Sequence, residues 1–339
     1  MNRAFKAGLV SLVRRSGLAA PLRRRFGGCG VILCLHEIQE DTAAELETGC
    51  RPPFLAEIVD GLRREGWELV GLDEAIRRLA GGEAARPFAV LTFDDGYRDN
   101  LTRALPVLDR LQAPFTVYVP TGAITRELYA WWLALRALIR SHDELTIECM
   151  GERFSCANLA DKVAALRAVA RWVGRDFSRS FDLAPTFAAY GISLEALADA
   201  YFLNENDLRA LARHPLVTIG AHTTSHAALA TLEADKARAE MAENKSFLEG
   251  LLGREVAHFA YPYGAADAGY GGREAKLARE TGFASAVRLQ NRPVFPVHRD
   301  NPHGLPRVSV KPGETLAGLY YRASGLGWVF KSHKRLRAA

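Results

Sequence analysis

Apolar runs alternate with amphipathic stretches along most of the chain. Short runs rich in β-branched and aromatic residues, such as 88–93 and 115–120, predict buried strands. Stretches with apolar residues at helical spacing, such as 54–66 and 231–253, predict helices, the second capped by Thr231. Further strands are predicted at 31–37, 67–72, 216–222, 256–264, 283–287 and 305–310, and further helices at 73–82, 98–111 and 272–282. Strands separated by helices indicate a parallel α/β fold, either open or closed into a barrel.

Residues 121–213 break this alternation. They contain the apolar run AWWLALRALI and predicted helices at 159–174 and 193–213. Chemistry in parallel α/β folds gathers at the carboxyl ends of the strands, so we interpret 121–213 as a helical insertion on the side where substrate enters. The predicted domains are a basic amphipathic N-terminal segment (1–28), a barrel (29–120 and 214–312), the insertion (121–213) and a basic C-terminal tail (313–339).

Charge is distributed unevenly along a chain of otherwise ordinary composition. The 339 residues are 48% hydrophobic and 24% charged, which is enough to bury a sizeable core. Residues 1–26 carry seven basic residues and residues 322–339 carry five, with no acidic residue in either stretch. Because the whole chain has a net charge of +5, the part between them is about −7.

The basic N-terminal segment fits two interpretations equally well. Its leucines and valines could line one face of a short amphipathic helix that contacts an anionic membrane surface. Alternatively, the helix packs on its own domain. Arg14 and Arg15 interrupt the apolar stretch, and the five cysteines form no C-x-x-C pair, so we expect a cytoplasmic protein, peripheral at the inner membrane face. The chain lacks a nucleic-acid recognition motif, and we expect no nucleic-acid partner.

Two adjacent aspartates, Asp94 and Asp95, follow the predicted strand 88–93, and Gly96 allows the chain to bend there. Consecutive strand residues point to opposite faces, so both carboxylates can reach one site only where the chain leaves the strand. An ordinary loop, in which one aspartate caps a helix starting near Tyr97, is the alternative interpretation.

Three further segments with polar or aromatic side chains fall at predicted strand ends. His36 ends the first strand, and H-T-T-S-H follows a later one with three residues between His222 and His226. Two histidines and a carboxylate form a set that suits Zn²⁺ or a similar divalent metal. The third segment is FAYPYG, residues 259–264. Taken singly, each segment is also compatible with satisfied loop histidines or aromatic packing.

Together, the ordered motifs T-F-D-D-G, H-T-T-S-H and Y-P-Y-G resemble those of the NodB-homology polysaccharide deacetylases, carbohydrate esterase family four. The resemblance covers roughly residues 30–120 and 214–312. It implies a distorted (β/α) barrel of about seven parallel strands. It also implies removal of N-acetyl groups from a carbohydrate substrate with one divalent metal ion, Zn²⁺ before Co²⁺ or Ni²⁺.

By this resemblance, Asp95, His222 and His226 correspond to the metal ligands and Asp94 corresponds to the general base. A metal lowers the pKa of its bound water to about 7, and a neighbouring carboxylate can then take the proton as the water attacks an amide. This division of roles would explain why the family motif has two adjacent aspartates.

The remaining roles also follow from the resemblance. His36 resembles the early catalytic histidine of a permuted subgroup that includes poly-N-acetylglucosamine deacetylases, and it would protonate the leaving amine. A satisfied histidine at a strand end is the alternative. The metal ion and the backbone N–H of Tyr263 would stabilise the developing oxyanion.

One position departs from the family pattern. The usual third motif has an arginine two residues before the proline, where this chain has Ala260. Arg307, on the last predicted strand, is our candidate for the missing guanidinium. Trp131 and Trp132 could offer apolar faces to a sugar ring, although core packing explains them equally well.

The leading hypothesis is a metal-dependent hydrolase that removes N-acetyl groups from an amino-sugar-containing glycan or lipid-linked saccharide. Removal of another small acyl group, such as formyl, is an alternative within the hydrolases. A catalytically inactive carbohydrate-binding protein of the same fold is the alternative from another class, and the alanine at position 260 is its main support.

Overall fold

The computed structural model describes residues 27–40, 46, 49–81, 86–264 and 269–325. Residues 1–26 of the predicted N-terminal segment and residues 326–339 of the predicted tail lie outside these ranges. Contact with a membrane and a cytoplasmic location therefore stay predictions. Within the described ranges, no helix combines the length and the apolar character needed to cross a bilayer.

The described residues form ten strands. These are β1 (Gly30–Leu35), β2 (Glu68–Leu69), β3 (Phe88–Phe93), β4 (Phe115–Val119), β5 (Glu144–Ile147), β6 (Glu152–Ser155), β7 (Val217–Ala221), β8 (His258–Ala260), β9 (Ser285–Leu289) and β10 (Leu305–Ser309). Seven of them close a parallel barrel in the order β1-β3-β4-β7-β8-β9-β10, because β1 pairs with both β3 and β10. The short β2 adds to β3 outside this ring, and β5 pairs with β6 in a separate antiparallel hairpin. The predicted distorted (β/α) barrel is confirmed.

Helices connect most of the strands. They are α1 (Pro52–Arg64), α2 (Leu72–Gly81), α3 (Leu105–Arg110), α4 (Thr121–Thr125), α5 (Trp131–Ser141), α6 (Leu159–Val173), α7 (Ala184–Ala189), α8 (Leu194–Tyr201), α9 (Glu205–Ala212), α10 (Ala234–Leu252), α11 (Gly272–Glu280) and α12 (Leu316–Ala323). Every residue of β1 and β3 is buried. Helices cover the outer face of such strands, and side chains fill the inside of the barrel. Because both faces are covered, the sequences of β1 and β3 are continuously apolar.

Three local predictions differ from the structure. Neither Asp94 nor Asp95 caps a helix, because the next helical turn is a π-helix at Asn100–Ala104 whose N-cap is Asp99. Thr231 lies in a 3₁₀ turn, and α10 begins after Glu233 instead. The strand predicted over 256–264 shortens to β8, because the chain turns at the proline that follows.

The segment between β4 and β7 has a hydrophobic core of its own. Apolar residues of α5, α6 and α7 pack together there with the β5–β6 hairpin. Arg136 of α5 also reaches the barrel, where its Nη1 and Nη2 donate hydrogen bonds of 2.6 and 2.8 Å to the two carboxylate oxygens of Glu37. Both side chains are buried. This pair fixes α5 beside the carboxyl end of β1.

Candidate active site

The predicted site residues meet at the carboxyl ends of the barrel strands. His36 follows β1, Asp94 and Asp95 follow β3, His222 and His226 follow β7, and Tyr263 follows β8. Four of the seven described non-glycine residues with positive φ also lie in these loops, namely Asp95 (71°), Thr223 (65°), His226 (57°) and Tyr263 (61°). Such conformations cost free energy and persist where the surrounding structure holds them, often at functional sites.

Asp95, His222 and His226 form a compact group of potential metal ligands. The Nε2 atoms of His222 and His226 lie 3.4 and 3.2 Å from Oδ1 of Asp95. A tetrahedral ion with bonds of about 2.1 Å would have its ligand atoms about 3.4 Å apart. The two histidine–aspartate distances match this spacing, and the three ligand atoms all lie within 4.8 Å of one another, so the group suits a zinc-like ion.

Hydrogen bonding and burial favour the ligand form of these groups. His222 Nδ1 donates to the carbonyl oxygen of Ala260 at 2.7 Å, which leaves the Nε2 lone pair facing Asp95. Burial lowers the pKa of His226, although Asp95 opposes this effect. Burial alone would raise the pKa of Asp95, but His226 and His222 hold it well below its usual value. A neutral imidazole and an ionised carboxylate are the forms that bind metal.

Asn244 of α10 fixes the loop that carries these histidines. Its Oδ1 accepts a 2.7 Å hydrogen bond from the backbone N–H of His222. Its Nδ2 donates to the carbonyl of Val119 at 3.1 Å and to Thr121 Oγ1 at 2.8 Å. The fully buried amide thus joins the ends of β4 and β7. An asparagine on the apolar stripe of a long amphipathic helix is a signal that the sequence analysis missed.

Arg307 of β10 pairs with Asp94 inside the barrel. Its Nη1 and Nη2 donate to the two carboxylate oxygens at 2.6 and 2.7 Å, and Nη1 also donates to Thr92 Oγ1 at 3.1 Å. Burial would raise the pKa of Asp94, but the guanidinium outweighs it and lowers the pKa. Asp94 is therefore ionised at neutral pH, as a general base must be. A guanidinium thus reaches Asp94 from β10 although position 260 is an alanine.

Cys34 and His36 approach the same carboxylate from β1. Cys34 Sγ lies 3.5 Å from Asp94 Oδ2, and burial raises the thiol pKa well above its usual value. One ligand atom from each of Cys34, His36 and Asp94 lies within 4.8 Å of the others. Because Arg307 already occupies both carboxylate oxygens with a positive charge, this group is a poor second cation site. Cys34 of β1 was not among the predicted site residues, although its position two residues before His36 is a signal that both side chains point the same way.

His36 acts electrostatically on both aspartates. It contributes to the lowered pKa of Asp94 and of Asp95. The carbonyl oxygen of His36 accepts a 2.9 Å hydrogen bond from Nδ2 of the buried Asn100. The histidine is thus anchored through its backbone beside the two carboxylates.

Helix α5 supplies an aromatic wall to the site. The Trp132 ring lies 4.9 Å from the His226 ring, and its Nε1 donates a 2.8 Å hydrogen bond to the hydroxyl of Tyr97. Trp131 Nε1 donates to the Tyr263 hydroxyl at 3.4 Å, while the Tyr263 ring lies 4.9 Å from that of His226. Trp131 also belongs to the core between β4 and β7, so the pair combines core packing with contacts to the site.

A comparison with protein families gives the chain its classification. The polysaccharide deacetylase family matches residues 81–285, which is more than half of the chain. The chain belongs to the polysaccharide deacetylase family. The resemblance inferred from the three motifs is therefore confirmed at the level of the family, whereas the permuted subgroup and the individual residue roles stay predictions.

Curated relatives match a shorter region. Poly-beta-1,6-N-acetyl-D-glucosamine N-deacetylase of Escherichia coli K12 is 29% identical over 128 residues, which are 33% of this chain and 19% of that protein. The protein of the same name from Escherichia coli O157:H7 matches equally. This chain thus covers about a fifth of the length of these relatives.

Solved structures match over most of the chain. The Streptococcus pyogenes deacetylase PplD in complex with acetate has a TM-score of 0.57 at 17% identity, covering 86% of this chain and 97% of that one. IcaB from Ammonifex degensii has a TM-score of 0.56 at 17% identity, covering 87% and 97%. At this level of identity, the likeness concerns the fold.

Proposed function

We propose that the protein is a metal-dependent hydrolase that removes N-acetyl groups from an amino-sugar-containing glycan. The observation that carries this proposal is the Asp94–Arg307 pair beside the group formed by Asp95, His222 and His226. It combines an ionised, oriented carboxylate with a set of divalent-metal ligands, and the barrel belongs to a family of polysaccharide deacetylases.

Asp95, His222 and His226 would hold the ion, which when bound supplies a Lewis acid for a carbonyl and for water. Asp94 accepts a proton from the attacking water. Asp94 Oδ2 accepts from Arg307 and lies 3.5 Å from Cys34 Sγ, whereas Oδ1 accepts one hydrogen bond from Arg307 and keeps a second lone pair for the proton. Arg307 holds the carboxylate in one orientation, as bidentate pairing does.

Two further groups complete the proposed reaction. His36 protonates the nitrogen of the leaving amine. The backbone N–H of Tyr263 donates to the oxygen on which negative charge develops, and the left-handed backbone of this residue turns the loop after β8 towards the site. Trp131 and Trp132 exclude water from one side of the bound sugar.

The substrate follows from the same proposal. The curated relatives are named as deacetylases of a β-1,6-linked N-acetylglucosamine polymer. We therefore propose an N-acetylated glycan as the substrate class, with β-linked N-acetylglucosamine oligomers as the first to be tested.

Acetate release from such oligomers by the zinc-loaded protein tests this function. The Asp94→Asn variant is expected to lower kcat by about 10²–10⁴-fold, the contribution typical of general-base catalysis. Asp73→Asn, at the first turn of α2, is the matched control and is expected to retain kcat. Wild-type turnover in Asp94→Asn would contradict the proposed base. Release of formate from N-formylglucosamine oligomers, without release of acetate from the N-acetylated oligomers, would contradict the proposed acyl group.

A further inference from the structure

A cleft of about 620 Å³ adjoins the candidate active site. It begins at His226 and Tyr263 and is bounded by α10 on one side and by residues of the 121–213 segment on the other. Its volume lies within the ~300–1,000 Å³ typical of small-molecule sites. If one unit of a glycan occupies the active site, a neighbouring unit of the same chain extends into this cleft.

Aromatic side chains line the cleft along the 121–213 segment. Tyr129 and Phe181 stack with their ring centroids 5.0 Å apart, and the Phe177 ring lies 4.2 Å from that of Tyr263. Phe181 lines the cleft and is 64% exposed, so most of its ring is open to contact. A row of aromatic rings beside a catalytic site offers apolar faces to the C–H groups of pyranose rings.

The charge of the cleft lining is strongly negative. Four carboxylates belong to it, from Glu127, Asp176, Glu240 and Glu243, against the single ammonium group of Lys236. This gives an excess of three negative charges in a concave surface with aromatic walls. Such a surface attracts cations and repels anions more strongly than an open surface with the same charges.

Short hydrogen bonds hold two of these carboxylates in place. The backbone N–H and the hydroxyl of Ser178 donate to Asp176 at 3.0 and 2.7 Å, and they lower the pKa of this aspartate. The backbone N–H and the hydroxyl of Ser225 donate to Glu240 at 2.9 and 2.6 Å. Ser225 lies in the loop between His222 and His226, so the acidic lining is continuous with the proposed metal ligands.

We propose that this cleft binds an amino-sugar unit that has already lost its acetyl group and carries a protonated amine. The aromatic rings contact the sugar ring and the carboxylates attract the ammonium group. The enzyme then acts preferentially on partly deacetylated glycans and disfavours chains that carry carboxylate or phosphate groups beside the target unit. This inference rests on the proposed function, since that function generates the cationic sugar.

Binding of a glucosamine tetramer tests the cleft independently of catalysis, because this molecule has no acetyl group to lose. Calorimetry with the zinc-loaded protein is expected to show binding at least tenfold tighter than that of an acidic tetrasaccharide of equal length, weakening as salt is added. Asp176→Asn and Glu243→Gln are each expected to weaken binding about threefold, and Phe181→Ala more strongly. Glu255→Gln, an exposed carboxylate outside the cleft, is the matched control and is expected to bind like the wild type.

A second measurement compares kcat/KM for an N-acetylglucosamine tetramer and for tetramers of the same length with one glucosamine unit. Preference for the partly deacetylated tetramers, reduced in Asp176→Asn, supports the proposal. Acetate release without binding of the glucosamine tetramer would overturn the assignment of the cleft and leave the proposed function standing. Binding of the tetramer without acetate release from any oligomer would overturn the proposed function alone.

Discussion

Replacing Arg136 by methionine is expected to destabilise the protein by about 3–5 kcal/mol, because the substitution removes the bidentate guanidinium from the buried carboxylate of Glu37. The two side chains are 4% and 0% exposed, and both guanidinium nitrogens donate to the carboxylate. Gln39 Nε2 donates one further hydrogen bond to Glu37 at 3.1 Å, which does not neutralise its charge. A loss of this size is a large part of the ~5–15 kcal/mol that stabilises a typical protein.

A double-mutant cycle measured by urea unfolding isolates the pair. Glu37→Met is expected to cost about as much as Arg136→Met. The double variant should cost less than the sum of the two, because replacing a buried ion pair by apolar side chains is often neutral.

The matched control is Arg153→Met. Arg153 also pairs with a glutamate, Glu144, but the two side chains are 72% and 64% exposed. It is expected to cost at most about 1 kcal/mol. Equal losses in Arg136→Met and Arg153→Met, or strictly additive single variants, would refute the reasoning.

Three other predictions concern the site and its support. Arg307→Lys keeps the charge but loses the bidentate geometry, so kcat for acetate release should fall about 10–100-fold while the variant remains folded; unchanged kcat would contradict its orienting role. Asn244→Ala leaves the N–H of His222 without its acceptor and should cost about 1–3 kcal/mol in urea unfolding, which a fully stable variant would contradict. The hydrogen bond from His258 lowers the pKa of Asp73, so its stabilisation is present above pH ~4 and is lost on further acidification. The melting temperature of Asp73→Asn should therefore fall less than that of the wild type between about pH 5 and pH 3, and equal falls would contradict this linkage.

The sequence predicts the barrel because each strand is indicated by a short run of neighbouring residues. Apolar runs of five or six residues, such as β3 and β4, identify strands whose two faces are both covered. Motif residues at their carboxyl ends then converge because parallel strands end on the same side of a barrel. Where the local signal is weaker, the prediction fails. For example, β8 ends after three residues because the proline turn follows directly.

Contacts between distant segments depend on how strands and helices align in space. The sequence suggested that Arg307 replaces the guanidinium missing at position 260, but only the pairing of β10 with β1 and β9 brings it to Asp94. The pair between Glu37 and Arg136 spans 99 residues, and no periodic pattern connects them. Both cases require knowledge of which elements are neighbours, which the pattern along the chain does not contain.

The pair Trp131 and Trp132 shows a different limit of prediction from sequence. A helix with two adjacent tryptophans has the same pattern whether they fill a core or line a site. In the structure, Trp131 packs in the core between β4 and β7 and contacts Tyr263, while the Trp132 ring lies 4.9 Å from that of His226. The two interpretations left open by the sequence are therefore compatible.

Metal content per chain, measured by elemental analysis together with acetate release, tests the central claim most directly. We predict about one zinc ion per wild-type chain, as in a mononuclear catalytic zinc site, and loss of both the ion and the activity in His222→Ala. The Asp94→Asn variant should keep the ion and lose the activity. A wild-type protein that binds no ion after incubation with zinc, cobalt or nickel, or a His222→Ala variant that keeps a full ion and full activity, would contradict the account.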